Sequence, residues 1–160
     1  GCFCEICQTR ADLHHETLIS LGVSTLKKKI VTALTVIFAA SGLLYFIGTG
    51  FMEQTSVVLT DYTISEDGSE IVLTVSTASS MGYVRDYADK GGKAKPHCLH
   101  FYSAFGGLNG SWGSKNEFVL ELAPDDTEIY FYRGDGGYDL VLKKNKRTNA
   151  WEPASGNIQG

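Results

Sequence analysis

The feature that most constrains this chain is a run of 22 residues without a charge, Ile30 to Phe51 (IVTALTVIFAASGLLYFIGTGF). As an α-helix rising about 1.5 Å per residue, it spans the roughly 30 Å hydrocarbon core of a bilayer. Its Val, Ile, Leu and Phe residues each favour insertion by roughly 0.3 to 0.6 kcal/mol and outweigh its Gly, Ser and Thr. A long helix buried in a soluble domain would keep a polar face at period 3.6, and none recurs here. The run is therefore read as a transmembrane helix. Lys27, Lys28 and Lys29 abut it on one side, and Glu53 and Asp61 follow it on the other. The positive-inside bias then places the N-terminus in the cytoplasm and the larger C-terminal part outside, as a single-pass protein of the cell membrane. A cleaved signal peptide is the rival reading, with Ala39-Ala40-Ser41 as its small-residue site. Against it, the leading region would be long, and cleavage would leave Leu43 to Ile47 exposed at a new terminus.

Composition fits this layout. The chain has 160 residues, 43% hydrophobic and 20% charged, which excludes both wholesale disorder and a polytopic membrane protein. Its net charge of -4 argues against a nucleic-acid partner. The expected division is a cytoplasmic stub at 1–29, the membrane helix at 30–51, an outer domain at 54–152 and a disordered tail at 153–160.

Three of the four cysteines fall in the stub, in Gly-Cys-Phe-Cys-Glu-Ile-Cys. Cys4 and Cys7 have the C-x-x-C spacing that grips one Zn²⁺, and Cys2 and His14 can complete a tetrahedral set, with His15 as the other histidine within reach. Zinc is thus the one cofactor the sequence offers. Because the sequence begins at Gly rather than Met, Cys4 and Cys7 are read as closing a zinc ribbon whose first half precedes Gly1. The competing readings are a reduced-thiol tail and S-acylated cysteines, the latter disfavoured by the roughly 20 residues separating them from the bilayer. Ala11 to Leu26 reads as a short juxtamembrane helix weakened by Gly22 and β-branched residues.

Beyond residue 52 the hydrophobic period changes to two. Ile71, Leu73 and Val75 alternate with Val72, Thr74 and Ser76, and the same pattern recurs at 118–122, 129–132 and 138–143. Segments 56–64 and 97–105 are also strand-like. Turn signals divide them at Glu66-Asp67-Gly68, Gly91-Gly92, Gly106 to Gly113, Pro124-Asp125-Asp126 and Arg133 to Gly137. Six or seven short strands, each with one apolar face, predict a mainly β outer domain, a small antiparallel β-sandwich of immunoglobulin-like type.

The succession Ile71-Val-Leu-Thr-Val, Leu99-His-Phe-Tyr, Phe118-Val-Leu-Glu-Leu, Glu128-Ile-Tyr-Phe and Tyr138-Asp-Leu-Val-Leu-Lys resembles the extracellular β-domains of uncharacterised membrane-anchored proteins of Gram-positive bacteria. Some of these are similar in carrying a cytoplasmic zinc-ribbon stub before a single helix. The resemblance lies in strand patterns and layout, so it carries over no functional residue.

Individual motifs in the outer domain read mostly as structure. Cys98 and His100 share a strand face, but no third metal ligand lies near them in sequence. Arg133-Gly134-Asp135 is an integrin-type tripeptide, yet Arg-Gly-Asp-Gly-Gly is also what a tight turn requires. The glycine run after Gly106 lacks the ending of a phosphate loop and reads as a flexible loop presenting Trp112, with a glycosylation spacing at Asn109. Nucleophile elbows and H-E-x-x-H motifs are missing, so no catalytic residue is assigned and no enzyme is expected. Three functions remain. The first is an anchored module binding a protein or cell-wall glycan through loops around Tyr83, Tyr87 and Trp112. The second is a signalling or assembly protein using the zinc stub, and the third, least favoured, is a surface enzyme.

Overall fold

No proline interrupts the chain between Glu5 and Thr49, and this whole stretch forms one helix, α1 (Glu5–Thr49). The segment before the lysines is therefore continuous with the apolar segment rather than a separate short helix. The computed structural model describes residues 5–80, 82–91, 97–107 and 110–154, with side chains from Leu26 onward. The apolar part runs over the 24 residues Leu26–Thr49, none of them packed inside the protein over its most apolar stretch. Three of its hydroxyls are paired within the helix: Thr32, Thr35 and Ser41 each donate to the carbonyl four residues back, at 2.9 Å. Such pairing is what a segment in hydrocarbon requires, because no water is available there.

The chain divides into two compact units, Gly1–Leu43 and Leu44–Gly160. The second is mainly β. Its strands are β1 (Glu53–Gln54), β2 (Val57–Ile64), β3 (Glu70–Thr77), β4 (Val84–Asp89), β5 (His97–Ser103), β6 (Glu117–Glu121), β7 (Glu128–Gly134), β8 (Gly137–Lys144) and β9 (Trp151–Pro153). One sheet has the order β2-β3-β6, and the other runs β1-β5-β7-β8-β9 with β4 also paired to β5. One edge of β5 is shared in tandem by β7, opposite His97 to Leu99, and β1, opposite Phe101 and Tyr102; β4 takes the other edge. The pairing is antiparallel except between β5 and β7, which run parallel, so the expectation of a purely antiparallel domain is corrected at that pair. The chain reaches Pro153 in β9, opposite Leu142, and Trp151 is buried. The expected tail at 153–160 therefore begins too early, because Pro153 is held by the sheet; residues 155–160 lie outside the described ones.

A single core cluster draws on both sheets: Leu59, Ile71, Leu73, Val75, Phe118 and Leu120 from one, and Leu99, Phe101, Ile129, Phe131, Val141 and Leu142 from the other. Phe101 is central, edge-on to Phe131 at 4.8 Å and to Phe118 at 5.6 Å, an arrangement aromatic quadrupoles favour. Two turns follow the sequence reading. Asp67 accepts hydrogen bonds from Ser65 Oγ at 2.7 Å and from Ser69 Oγ at 2.8 Å, with Gly68 at φ 72°. These bonds, the Ser65 one foremost, hold the Asp67 carboxyl down at about 2. At the β7–β8 hairpin, Asp135 and Gly136 adopt φ of 51° and 76°. Arg133 there donates from Nε to Asp139 at 2.6 Å and from Nη1 to the carbonyls of Thr55 and Val57. Its guanidinium thus fastens the crossing from β1 to β2 and is committed within the fold.

Candidate functional site

Strand alternation sorts the six-stranded sheet into two faces. Leu99 and Phe101 of β5 and Ile129 and Phe131 of β7 enter the core. Cys98, His100 and Tyr102, with Tyr130 and Tyr132, therefore lie on the opposite face. Tyr138 pairs with Tyr132 across the β7–β8 hairpin and joins them. The imidazole of His100 lies flat on Tyr132, with ring centroids 4.1 Å apart, and Tyr138 stands against it at 5.7 Å. These two rings leave His100 only 5% exposed although it faces away from the core.

A buried imidazole needs partners, and His100 has two. Its Nδ1 lies 3.0 Å from Glu53 Oε1, and its Nε2 lies 3.0 Å from the Tyr138 hydroxyl. Lys90 Nζ donates to the same Glu53 oxygen at 3.0 Å. The Lys90 bond first, and the His100 bond second, hold the Glu53 carboxyl below its ordinary range, while the Glu53 bond raises Lys90. With Glu53 ionised, Nδ1 carries a proton toward it, and Nε2 pairs with the Tyr138 hydroxyl. The result is a chain of carboxylate, imidazole and phenol ending in a partly exposed hydroxyl. It fixes the orientation of the Tyr132 and Tyr138 rings. Both His100 nitrogens are occupied, so this histidine offers no lone pair for a metal shared with Cys98. Among the described residues, no group of three or more His, Cys, Asp or Glu is arranged to hold a metal ion.

A second histidine lies at the start of β5. His97 Nδ1 is 2.5 Å from Asp89 Oδ2, and its Nε2 is 2.8 Å from Asp126 Oδ2. Asp89 also accepts from the amides of Gly91 and Cys98, at 2.9 and 3.0 Å. Desolvation pulls the His97 pKa down, but the bonds to Asp89 and Asp126 outweigh it and the net shift is upward. For Asp89, desolvation pushes the carboxyl up and the His97 bond outweighs it, so the net shift is downward. This is a clamp between the end of β4 and the β6–β7 loop.

The third feature is the end of α1, within the Leu44–Gly160 unit. Thr49 Oγ1 donates to Phe46 O at 2.8 Å and accepts from the amides of Gly106 and Gly107 at 3.0 and 3.1 Å, which uses its full hydrogen-bonding capacity. Arg85 Nη2 donates to Gly50 O at 2.8 Å, and its guanidinium lies 4.7 Å from the Phe105 ring centre. A cation here also suits the negative end of the helix dipole. Phe46 stacks on Phe105 at 6.4 Å and meets Trp112 edge-on at 6.1 Å. A cleft of about 390 Å³ opens beside this junction, lined among others by Tyr45, Thr49, Met52, Glu53 and Tyr83.

Of the sequence-predicted residues, Tyr83 and Trp112 are exposed as expected. Tyr87 is turned inward: its ring packs on Phe101 and Phe118, and its hydroxyl donates to Val119 O at 2.6 Å. Cys2 and Cys4 lie outside the described residues. Cys7 and His14 fall on α1, and their side chains also lie outside them, as does Asn109. The Glu53–His100–Tyr138 chain was not legible in the sequence, because its members are 47 and 38 residues apart. Only the outward register of His100 was signalled. No family model matches the chain, and no curated protein or solved structure is detectably similar to it.

Proposed function

We propose that the chain is a single-pass, membrane-anchored cell-surface protein, N-terminus in the cytoplasm, whose outer β unit is a binding module. The observation that carries this reading is the span Leu26–Thr49: an exposed apolar helix with three of its hydroxyls paired internally, followed after a short link by the first β-strand at Glu53. Protease added to intact cells is expected to remove the β unit and spare the stub. Cleavage of the stub instead would reverse the topology, and loss of the first 29 residues in the mature protein would make the span a signal sequence.

Within this reading the two sheets form an immunoglobulin-like sandwich, supported by the core they share. The contact surface is the His100, Tyr132 and Tyr138 face, and the favoured partner is a cell-wall glycan of a Gram-positive bacterium, a protein being the alternative. Sugar rings stack their C–H faces on aromatic rings, and rings pinned by a satisfied histidine lose little freedom on binding. Full-length protein in detergent is expected to sediment with insoluble cell wall. Tyr138→Ala should weaken this, and unchanged sedimentation would remove the face from consideration. The pairing of the Tyr138 hydroxyl with His100 favours one second reading, a surface enzyme. Tyr138→Phe separates the two, since it keeps the ring and removes the hydroxyl. Binding should persist; loss of a glycan-cleaving activity with binding intact would move the assignment to an enzyme.

A further inference from the structure

Beyond the end of α1, six large hydrophobic side chains are exposed among the described residues: Phe51, Met52, Tyr83, Trp112, Val119 and Tyr138. Four of them gather where α1 ends. Phe51 packs edge-on to Phe105 at 6.2 Å, Trp112 meets Phe46 of the last helical turn, and Met52 and Tyr83 line the cleft beside Thr49. They are also strongly exposed, at 67% for Phe51, 61% for Met52, 47% for Tyr83 and 73% for Trp112.

Helix geometry says what surrounds them. Lys27, Lys28 and Lys29 mark one boundary of the hydrocarbon, and about 20 helical residues cross it. Counting from Ile30 brings the other boundary to Thr49. Only Gly50, Phe51 and Met52 separate Thr49 from β1, a reach of about 10 Å even when fully extended. Thr49, Gly106, Gly107 and the Arg85 bond to Gly50 O fasten this junction, so the collar cannot swing away from the helix end.

We propose that Phe51, Met52, Tyr83 and Trp112 form a collar that seats the β unit in the lipid headgroup region of the outer leaflet. Its occupant is bilayer phospholipid, because the collar is continuous with the apolar span and carries the aromatic types that settle at membrane interfaces. The proposal rests on the anchored reading above.

The chain has two tryptophans. Trp151 is buried in the β unit and Trp112 is exposed, so Trp151→Phe leaves the collar as the sole reporter. The full chain is placed in phosphatidylcholine–phosphatidylglycerol vesicles. Trp112 emission should shift to shorter wavelength and be quenched several-fold more by lipids labelled near the headgroup than by aqueous acrylamide. If Trp151→Phe fails to fold, the difference between the parent chain and Trp112→Phe gives the same reading. A control carrying Phe38→Trp with both native tryptophans replaced by Phe reports the span itself. Deep-label quenching of that control, with Trp112 open to acrylamide, overturns the collar and leaves the anchor standing. No lipid quenching of either probe overturns both. Trp112 shielded from acrylamide but untouched by lipid labels overturns the proposal in favour of a covering protein, such as a second copy of the chain.

Discussion

Replacing Thr49 by Val tests whether one hydroxyl joins the helix to the β unit. Val keeps the size and β-branching of Thr, so the change removes hydrogen bonds and little else. Thr49 is buried, and its oxygen is the acceptor for the amides of Gly106 and Gly107. Gly106 N retains a longer contact to Phe46 O at 3.3 Å, whereas Gly107 N has no second acceptor among these bonds. Gly106 and Gly107 are only partly buried, so the loss falls at the lower end of the roughly 1 to 3 kcal/mol that an unpaired buried donor costs, about 1 kcal/mol. For a unit of this size, with an unfolding entropy near 2.1 cal/mol/K per residue, that corresponds to a fall of about 4 °C in Tm. The assay is thermal unfolding of the full chain in detergent, followed by near-ultraviolet circular dichroism, with amide exchange at Gly106 and Gly107 as the local readout. Thr49→Ser, which keeps the oxygen, should lose much less. If Val and Ser melt alike, and the two glycine amides exchange no faster in Val, the hydroxyl is not what fastens the junction.

The His97 clamp makes stability depend on pH. Its folded pKa is raised above 6.5, so its contribution is complete below that value and is lost as pH rises through the folded pKa. Denaturant titrations should show this decline in the parent and not in His97→Gln. The depressed Asp89 works on the acid side, with its contribution present above the ordinary value of 3.8 and lost as pH falls through the folded pKa; acid titration of Asp89→Asn should lack that step. Phe101→Ala removes the ring that bridges the two sheets, and a loss of about 3 to 5 kcal/mol is expected in equilibrium unfolding. Tyr138→Phe strips the partner from His100 Nε2, and a loss of about 1 kcal/mol is expected, with histidine NMR showing altered Nε2 shielding; an unchanged spectrum would contradict the relay. If the stub holds zinc through Cys2, Cys4, Cys7 and His14, a peptide of residues 1–26 will bind Co²⁺ with a thiolate charge-transfer band that Cys4→Ser abolishes. No band with the parent peptide removes a site made by these four residues alone.

The sequence alone settled those elements whose signal is local. An uncharged helical run needs no neighbour to be recognised, and the strands at 70–77, 117–121 and 128–134 bury one face at period two; at 137–144 a register shift breaks the period, and adjacent Val141 and Leu142 are both buried. The turn chemistry at Asp67-Gly68 and Asp135-Gly136 is equally local. Strand β4 escaped because Val84-Arg-Asp-Tyr-Ala-Asp carries charges, and a register shift between Val84 and Asp86 breaks its alternation. Strands β1 and β9, two and three residues long, are too short to display a period. Only the tertiary structure decided the parallel β5–β7 pair, the inward turn of Tyr87, and the meeting of Glu53, His100 and Tyr138. Each depends on partners dozens of residues away, brought together by burial of a common core. Side-chain periodicity reports which face a residue takes, while pairing partners are selected by the packing of the whole domain.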